Sequence, residues 1–156
     1  MIKAALFSDT HSNTVLMLEA IRRERPDVVI HLGDHDRDAL SIRESFPELP
    51  LYSVCGNCDL SPLSPETDVV PLGSVKAFIA HGHQYNVRYS RDSLVYAALE
   101  RGCSLALYGH THSPENSQLG SVMVVNPGTA GQGRELTNAL ITVFDNSGIA
   151  VEIKDL

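Results

Sequence analysis

Five short polar segments of this sequence carry residue types that bind metal ions, and each follows directly on an apolar run. They are Asp9-Thr10-His11, Gly33-Asp34, Gly56-Asn57, His81 and Gly109-His110-Thr111-His112. Carboxylates beside imidazoles form a mixed oxygen and nitrogen ligand set, which suits divalent first-row metals. Asp9 and His11 are two residues apart, so an extended backbone would project both to the same side. His31, in contrast, lies inside an apolar run and is predicted to be structural.

The apolar runs predict strands that end at these polar segments. Predicted strands cover Ile2–Phe7, 27–32, 50–54, 69–72, 74–80 and 104–108, and predicted helices cover 13–25, 36–46 and 92–101. Asn13 is the expected N-cap of the first helix, and Pro26 ends it. The alternation of strand and helix at the start predicts parallel pairing, which collects the strand tips at one edge of a sheet.

The remaining residues predict less regular structure. Residues 60–68 are expected to form a loop, and 69–72 with 74–80 a hairpin that turns at Gly73. The segments 121–125, 138–144 and 149–153 alternate in polarity, which is typical of antiparallel strands.

Length and composition exclude several classes of protein. The chain has 156 residues and a formal net charge of −7, with 43% hydrophobic residues. These values predict a single domain over residues 1–156, with no extended nucleic-acid surface and no membrane segment. No signal peptide is visible and the three cysteines are an odd number, so we expect a cytoplasmic protein. The sequence is compatible with a homo-oligomer.

The motifs Asp-x-His, Gly-Asp, Gly-Asn-x-Asp, His-Gly-His and Gly-His-Thr-His occur in this order between Asp9 and His112. Together with Asn126-Pro127-Gly128, they make the chain resemble the calcineurin-like metallophosphoesterase superfamily. The resemblance is to its small prokaryotic phosphodiesterase branch, which is similar to the phosphoesterase-like subunit of retromer. It implies an α/β fold, a four-layer α/β/β/α sandwich of two mixed β-sheets flanked by helices.

The resemblance also implies a site for two divalent metal ions. Asp9, His11 and His112 would hold one ion, Asn57, His81 and His110 would hold the other, and Asp34 would bridge them. Manganese heads the candidates, which also include nickel, iron, cobalt and zinc. A water that bridges the ions would lose its proton and attack the phosphorus of a small or nucleotide-like phosphodiester. The alternative is a non-catalytic metal-binding scaffold of the retromer-subunit type.

Asp34, Asn57, Cys58 and His83 are the predicted catalytic residues. Cys58 stands where much of the superfamily has a histidine that protonates the leaving group, and a thiol is a weaker proton donor at neutral pH. We therefore expect better activity on aryl than on alkyl phosphodiesters. His83 is either a substitute acid or a hydrogen-bonding partner that orients a metal ligand.

Other residues near these motifs admit two interpretations. His35, Asp36 and Arg37 either line the substrate pocket, with Arg37 in contact with the substrate, or form a solvated helix start. Arg134 is either a phosphate contact or an exposed loop arginine. Asp59 is expected to brace the site. Cys55 and Cys58 match the C-x-x-C redox motif, but the sequence that follows does not suit a redox helix.

Overall fold

The structure is a computed structural model that describes residues 1–156. It contains ten strands: β1 Ile2–Phe7, β2 Val28–His31, β3 Leu51–Ser53, β4 Thr67–Leu72, β5 Val75–Ala80, β6 Leu105–Leu107, β7 Glu115–Leu119, β8 Val122–Asn126, β9 Thr137–Val143 and β10 Ile149–Asp155. The three α-helices are α1 Val15–Glu24, α2 Ala39–Ser45 and α3 Asp92–Glu100, and short 3-10 helices cover Asp36–Asp38 and His83–Tyr85. None of the helices has the length and hydrophobicity needed to span a bilayer.

The strands form two mixed sheets of five strands each. In the first sheet the order is β10-β9-β1-β2-β3, with β1, β2 and β3 parallel and β9 and β10 antiparallel. In the second sheet the order is β4-β5-β6-β8-β7, with β5, β6 and β8 parallel between antiparallel edge strands. The parallel pairing predicted for the first three strands is confirmed.

Three apolar clusters separate four layers. Alternate residues along a strand point to opposite faces, so β1 places Leu6 between the two sheets and Phe7 against α1. In β5, Ile79 likewise lies between the sheets, and Phe78 packs toward α3. Helices therefore cover the outer face of both sheets, and the predicted α/β/β/α sandwich is confirmed. Burial on both faces explains why these strands are continuous apolar runs.

Several predicted elements were wrong in detail. Asn13 does not cap α1; Thr14 is the cap residue and its side chain makes no capping hydrogen bond. The helix predicted over 36–46 is a 3-10 turn followed by α2, and the loop predicted over 60–68 is shorter because β4 begins at Thr67.

The C-terminal strands do not form one antiparallel group. β8 pairs in parallel with β6 in the second sheet, whereas β9 and β10 pair in antiparallel fashion in the first. β7 was not predicted because its sequence, Glu-Asn-Ser-Gln-Leu, is polar and lies on an exposed sheet edge.

Candidate metal centre

The strand tips collect five of the seven predicted metal ligands into two overlapping groups. One group contains Asp9, His11 and His112, and the other contains Asp9, Asp34 and His81. In each group one ligand atom from every residue lies within 4.8 Å of the others. The predicted first-metal set, Asp9, His11 and His112, is thus brought together. Asp9 is common to both groups, and the bridging role of Asp34 stays a prediction.

Hydrogen bonds leave one oxygen of Asp9 free. Oδ2 accepts from the Ser8 hydroxyl at 2.6 Å and from the backbone N–H of His110 at 3.1 Å. Oδ1 is buried, accepts no hydrogen bond and lies 3.1 Å from Nε2 of His112. The Thr129 hydroxyl donates to the backbone carbonyl of Asp9 at 3.0 Å, which fixes the loop itself.

His81 and Asp34 are oriented in the same manner. Nδ1 of His81 is 2.7 Å from the carbonyl oxygen of Leu32, so it donates there and Nε2 keeps its lone pair. Nε2 lies 3.4 Å from Oδ1 of Asp34, and that oxygen accepts the N–H of Cys58 at 2.9 Å.

Charge and burial act against each other at this pair. Burial alone would raise the pKa of Asp34, but the adjacent His81 and the Cys58 N–H outweigh it and hold the pKa well below its usual range. Burial would lower the pKa of His81, but the carboxylates of Asp34 and Asp9 raise it. Asp34 is therefore ionised at neutral pH and available as an anionic ligand.

The ligand loops have unusual backbone geometry. Ten residues other than glycine have a positive φ, and seven of them belong to the ligand loops: Asp9, His11, Ser12, Asp34, His35, His110 and His112. The extended backbone assumed for Asp9 and His11 was therefore wrong, since left-handed turns bring their side chains together. Such conformations cost about 1 kcal/mol or more each and cluster at functional sites.

Two glycines allow the ligand loops to approach closely. A Cβ on Gly56 would lie 2.1 Å from Oδ1 of Asp34, and a Cβ on Gly109 would lie 1.9 Å from the Ser8 hydroxyl and 2.9 Å from Oδ2 of Asp9. Neither position has room for a methyl group. The glycines in the Gly-Asn and Gly-His motifs therefore leave the space that the neighbouring carboxylates occupy.

The unpaired atoms test whether a cation fits this site. Buried polar atoms in proteins almost always have hydrogen-bond partners. Asp9 Oδ1, His11 Nε2 and His81 Nε2 are buried and have none. All three are lone-pair donors of the type that coordinate divalent ions, and they belong to the two ligand groups. The residues present therefore fit metal binding.

The other two predicted ligands, Asn57 and His110, lie outside both groups. The exposed Asn57 amide donates to Sγ of Cys58 at 3.7 Å. The His110 ring is centred 5.1 Å from the His81 ring, and its Nε2 accepts from Nε of Arg88 at 3.1 Å. Burial, together with the positive charge that His81 can carry, lowers the pKa of His110.

The predicted acids Cys58 and His83 are both beside the site. Partial desolvation and hydrogen bonding to Asp34 raise the pKa of the Cys58 thiol to about 11, so it is protonated at neutral pH. The His83 ring is centred 5.5 Å from that of His81, and burial and His81 lower its pKa. Nδ1 of His83 has no hydrogen-bond partner, so His83 does not orient a ligand through that atom.

The cysteines do not support a redox motif. Cys55 is buried, Cys58 is exposed, and all three cysteines are free thiols. Burial also raises the pKa of Cys55. Both thiols of the C-x-x-C motif are therefore poor sources of thiolate.

The structure places Asp36, Arg37 and Arg134, each of which had two interpretations. Asp36 begins a 3-10 helix, but it is buried rather than solvated and accepts the N–H groups of Leu63 and Ser64. Together with His35, it lines the same recess as Arg37. Arg37 donates to the carbonyl of Ser61 and borders a recess with Cys58. Arg134 is exposed.

Asp59 and Asn126 brace the ligand turns. Asp59 accepts the N–H groups of Gly56 and Asp36, as expected for a residue that supports the site. The Asn126 amide donates to the Gly109 carbonyl and to the Thr111 hydroxyl, each at 3.0 Å. It therefore fixes the Gly-His-Thr-His turn.

Sequence reasoning missed a buried chain of hydrogen bonds under the first loop. His31 accepts the Gly33 N–H at Nδ1 and contacts the Thr10 hydroxyl with Nε2 at 3.0 Å. Thr10 donates to Asp38, which also accepts the N–H of Ser12. The structural role predicted for His31 agrees with these contacts. Thr10 flanks Asp9, which is the only sequence signal for its role.

The sequence of this chain is similar to those of known phosphoesterases. Residues 2–147 match the model of the calcineurin-like phosphoesterase superfamily domain. The chain is 28% identical to a probable metallophosphoesterase of Mycoplasma genitalium, over 88% of this chain and 83% of the relative. It is 28% identical to a phosphodiesterase of Methanocaldococcus jannaschii (81% and 83% covered) and 26% identical to the Escherichia coli phosphodiesterase YfcE (97% and 91%).

Solved structures share the fold along the whole chain. A predicted phosphoesterase from Streptococcus pneumoniae superposes with a TM-score of 0.78 at 25% identity, covering 99% of this chain and 98% of its own. Vps29 of Entamoeba histolytica, solved in complex with Zn²⁺, gives 0.77 at 20% identity, with 99% of each chain covered. The match over residues 2–147, together with these relatives, shows that the chain belongs to the calcineurin-like phosphoesterase superfamily.

Proposed function

We propose that this protein hydrolyses small phosphodiesters at a centre of two divalent metal ions. Asp9, His11 and His112 would hold one ion, His81, His110 and Asn57 the other, and Asp34 would bridge them. Manganese heads the candidates, with nickel, iron, cobalt and zinc as the others. Two bound ions would supply Lewis acidity toward the phosphoryl oxygens and a hydroxide nucleophile at neutral pH.

One observation carries this proposal. Two ligand groups share the buried carboxylate of Asp9, and three of their donor atoms have no other partner. A single buried aspartate with an unpaired oxygen would be costly unless a cation satisfied it. Phosphoesterases and phosphodiesterases among the relatives support the reaction class.

The chain's own residues would then bind and orient the substrate. Only Asp9 and Asp34 among the seven ligands are anionic, so a loaded site retains positive charge and attracts a phosphodiester anion. Cys58 donates its backbone N–H to Asp34, which places its protonated thiol beside that carboxylate. We assign the Cys58 thiol to the leaving-group side, where it can donate a proton weakly.

The experiment compares Asp34→Ala with Asp145→Ala, which removes an exposed aspartate in the turn after β9. Each protein is stripped of metal, reloaded with each candidate ion and assayed on mono- and diesters. We expect Asp34→Ala to lose hydrolysis and bind fewer ions, and Asp145→Ala to behave as wild type. Full activity in Asp34→Ala would refute the assignment.

A second candidate function is a metal-binding scaffold that does not catalyse. It is supported by the fold shared with Vps29, one structure of which contains Zn²⁺. The same experiment separates the two functions, because a scaffold would bind ions through Asp34 and hydrolyse no ester with any of them.

A further inference from the structure

Arg88 lies on the loop between the 3-10 helix His83–Tyr85 and α3, and it contacts a proposed metal ligand. Its Nε donates to Nε2 of His110 at 3.1 Å. The side chain is exposed, and this is the only hydrogen bond its guanidinium makes. Two terminal nitrogens are therefore available to a ligand. Sequence reasoning did not single out Arg88.

The contact between Arg88 and His110 cannot coexist with metal binding by His110. A neutral imidazole has one nitrogen with a lone pair and one with a proton. A metal ion at Nε2 would occupy the lone pair that Arg88 uses. An ion at Nδ1 would require the proton on Nε2, where it would face the N–H of Arg88. Either mode of binding releases Arg88 from His110.

A polar recess borders Arg88 on the side of the Gly-His-Thr-His turn. It has a volume of about 430 Å³ and is lined by Val87, Arg88, Arg91, Thr111, Ser113, Pro114 and Glu115. Arg91 is already bound to Glu115 at 2.8 Å and to the Val87 carbonyl at 2.6 Å. Glu115 also accepts from the hydroxyl of the buried Tyr108. The recess therefore contains one unpaired charge, the cation of Arg88.

We propose that Arg88, released when metal binds, binds a second anionic group of the substrate in this recess. The inference rests on the proposed function and narrows its substrate class. The substrate would be a phosphodiester whose retained ester arm carries a carboxylate or phosphate. A guanidinium with two free terminal nitrogens matches the paired oxygens of either group. The arm would leave the metal site past His110, away from Cys58.

The test measures binding rather than turnover. Two phosphinates with no hydrolysable bond are titrated into the metal-loaded protein by calorimetry: dimethylphosphinate, and methylphosphinate bearing a 2-carboxyethyl group. Wild type is expected to bind the carboxyethyl compound about fivefold more tightly at low ionic strength, the scale of an exposed ion pair. The difference should shrink in high salt.

Arg88→Gln is expected to lose this preference. Arg22→Gln, which removes an exposed arginine on α1, is the matched control and should keep it. Metal-stripped wild type should show no preference. If Arg88→Gln bound both phosphinates more weakly by the same factor, Arg88 would contact the phosphinate group rather than the carboxylate, and the proposal would be overturned. Absence of binding or of a preference in loaded wild type would also overturn it.

A different result would refute the proposed function. Hydrolysis of methyl 4-nitrophenyl phosphate is measured on the same loaded samples. Wild type that binds both phosphinates with the expected preference but hydrolyses nothing would refute the phosphodiesterase, and Arg88 would remain an anion-binding residue beside the metal centre. A thermal unfolding curve of each variant checks that the fold is retained.

Discussion

Replacing Gly56 with alanine should disable the metal centre by steric displacement of Asp34. The new Cβ would lie 2.1 Å from Oδ1 of Asp34 and 2.6 Å from its backbone nitrogen. Ordinary contact begins at 3.4 Å, so the carboxylate must move by about 1.3 Å. Metal ligands tolerate displacements of only about 0.2 Å, and a displacement of about 1 Å at a reacting centre costs on the order of 100-fold in rate.

We expect Gly56→Ala to lose at least about 100-fold in metal-dependent hydrolysis and to bind fewer ions. Overpacking should also cost about 1 to 3 kcal/mol of unfolding free energy, measured by urea denaturation. Gly148→Ala is the matched control, because the new methyl there would approach only the Asn146 side chain closely, at 3.0 Å, and would lie at an ordinary contact distance of 3.7 Å from Phe144. Wild-type ion stoichiometry and activity in Gly56→Ala would refute the reasoning.

Two further predictions concern protonation. Because its pKa is raised to about 11, the Cys58 thiol is a weak acid at pH 7, so we expect higher kcat/KM for an aryl than for an alkyl phosphodiester. Equal values would contradict this role. Glu24 accepts from Arg23, Lys154 and Lys3, and these partners lower its pKa from 4.5 to about 2. Since the folded pKa is below the unfolded one, this stabilisation is complete above pH 4.5 and is lost as the pH falls toward 2. Glu24→Gln should therefore lose about 1 kcal/mol of unfolding free energy at pH 7, a figure that allows for the solvent exposure of the partners. When the pH is lowered from 5 to 3, urea titrations should show a smaller further loss of unfolding free energy in Glu24→Gln than in wild type. Identical pH dependence would contradict the assignment.

The candidate site could be predicted because its residues follow a simple rule. Each ligand segment comes directly after a buried strand, and the carboxyl ends of the parallel strands of both sheets lie at the same end of the sandwich. Asp9, His11, Asp34, His81 and His112 are brought together in this way. The strands themselves are continuous apolar runs because both of their faces are buried.

What could not be predicted depends on contacts between distant segments. The polar edge strand β7 has no hydrophobic pattern, and the parallel partner of β8 is chosen by the fold as a whole. Asp9 and His11 have a left-handed backbone, and the Asp9 carbonyl accepts a hydrogen bond from Thr129, which lies 120 residues later in the chain. Arg88 reaches His110 from a loop 22 residues earlier in the chain, and nothing in its neighbours indicates this contact.

A metal titration followed by activity tests the central claim most directly. Metal-stripped protein is titrated with manganese while the hydrolysis of an aryl phosphodiester and the number of bound ions are both recorded. We expect activity to appear only with metal and to reach its plateau at two ions per chain. Hydrolysis without metal, or full activity with a single ion, would contradict it.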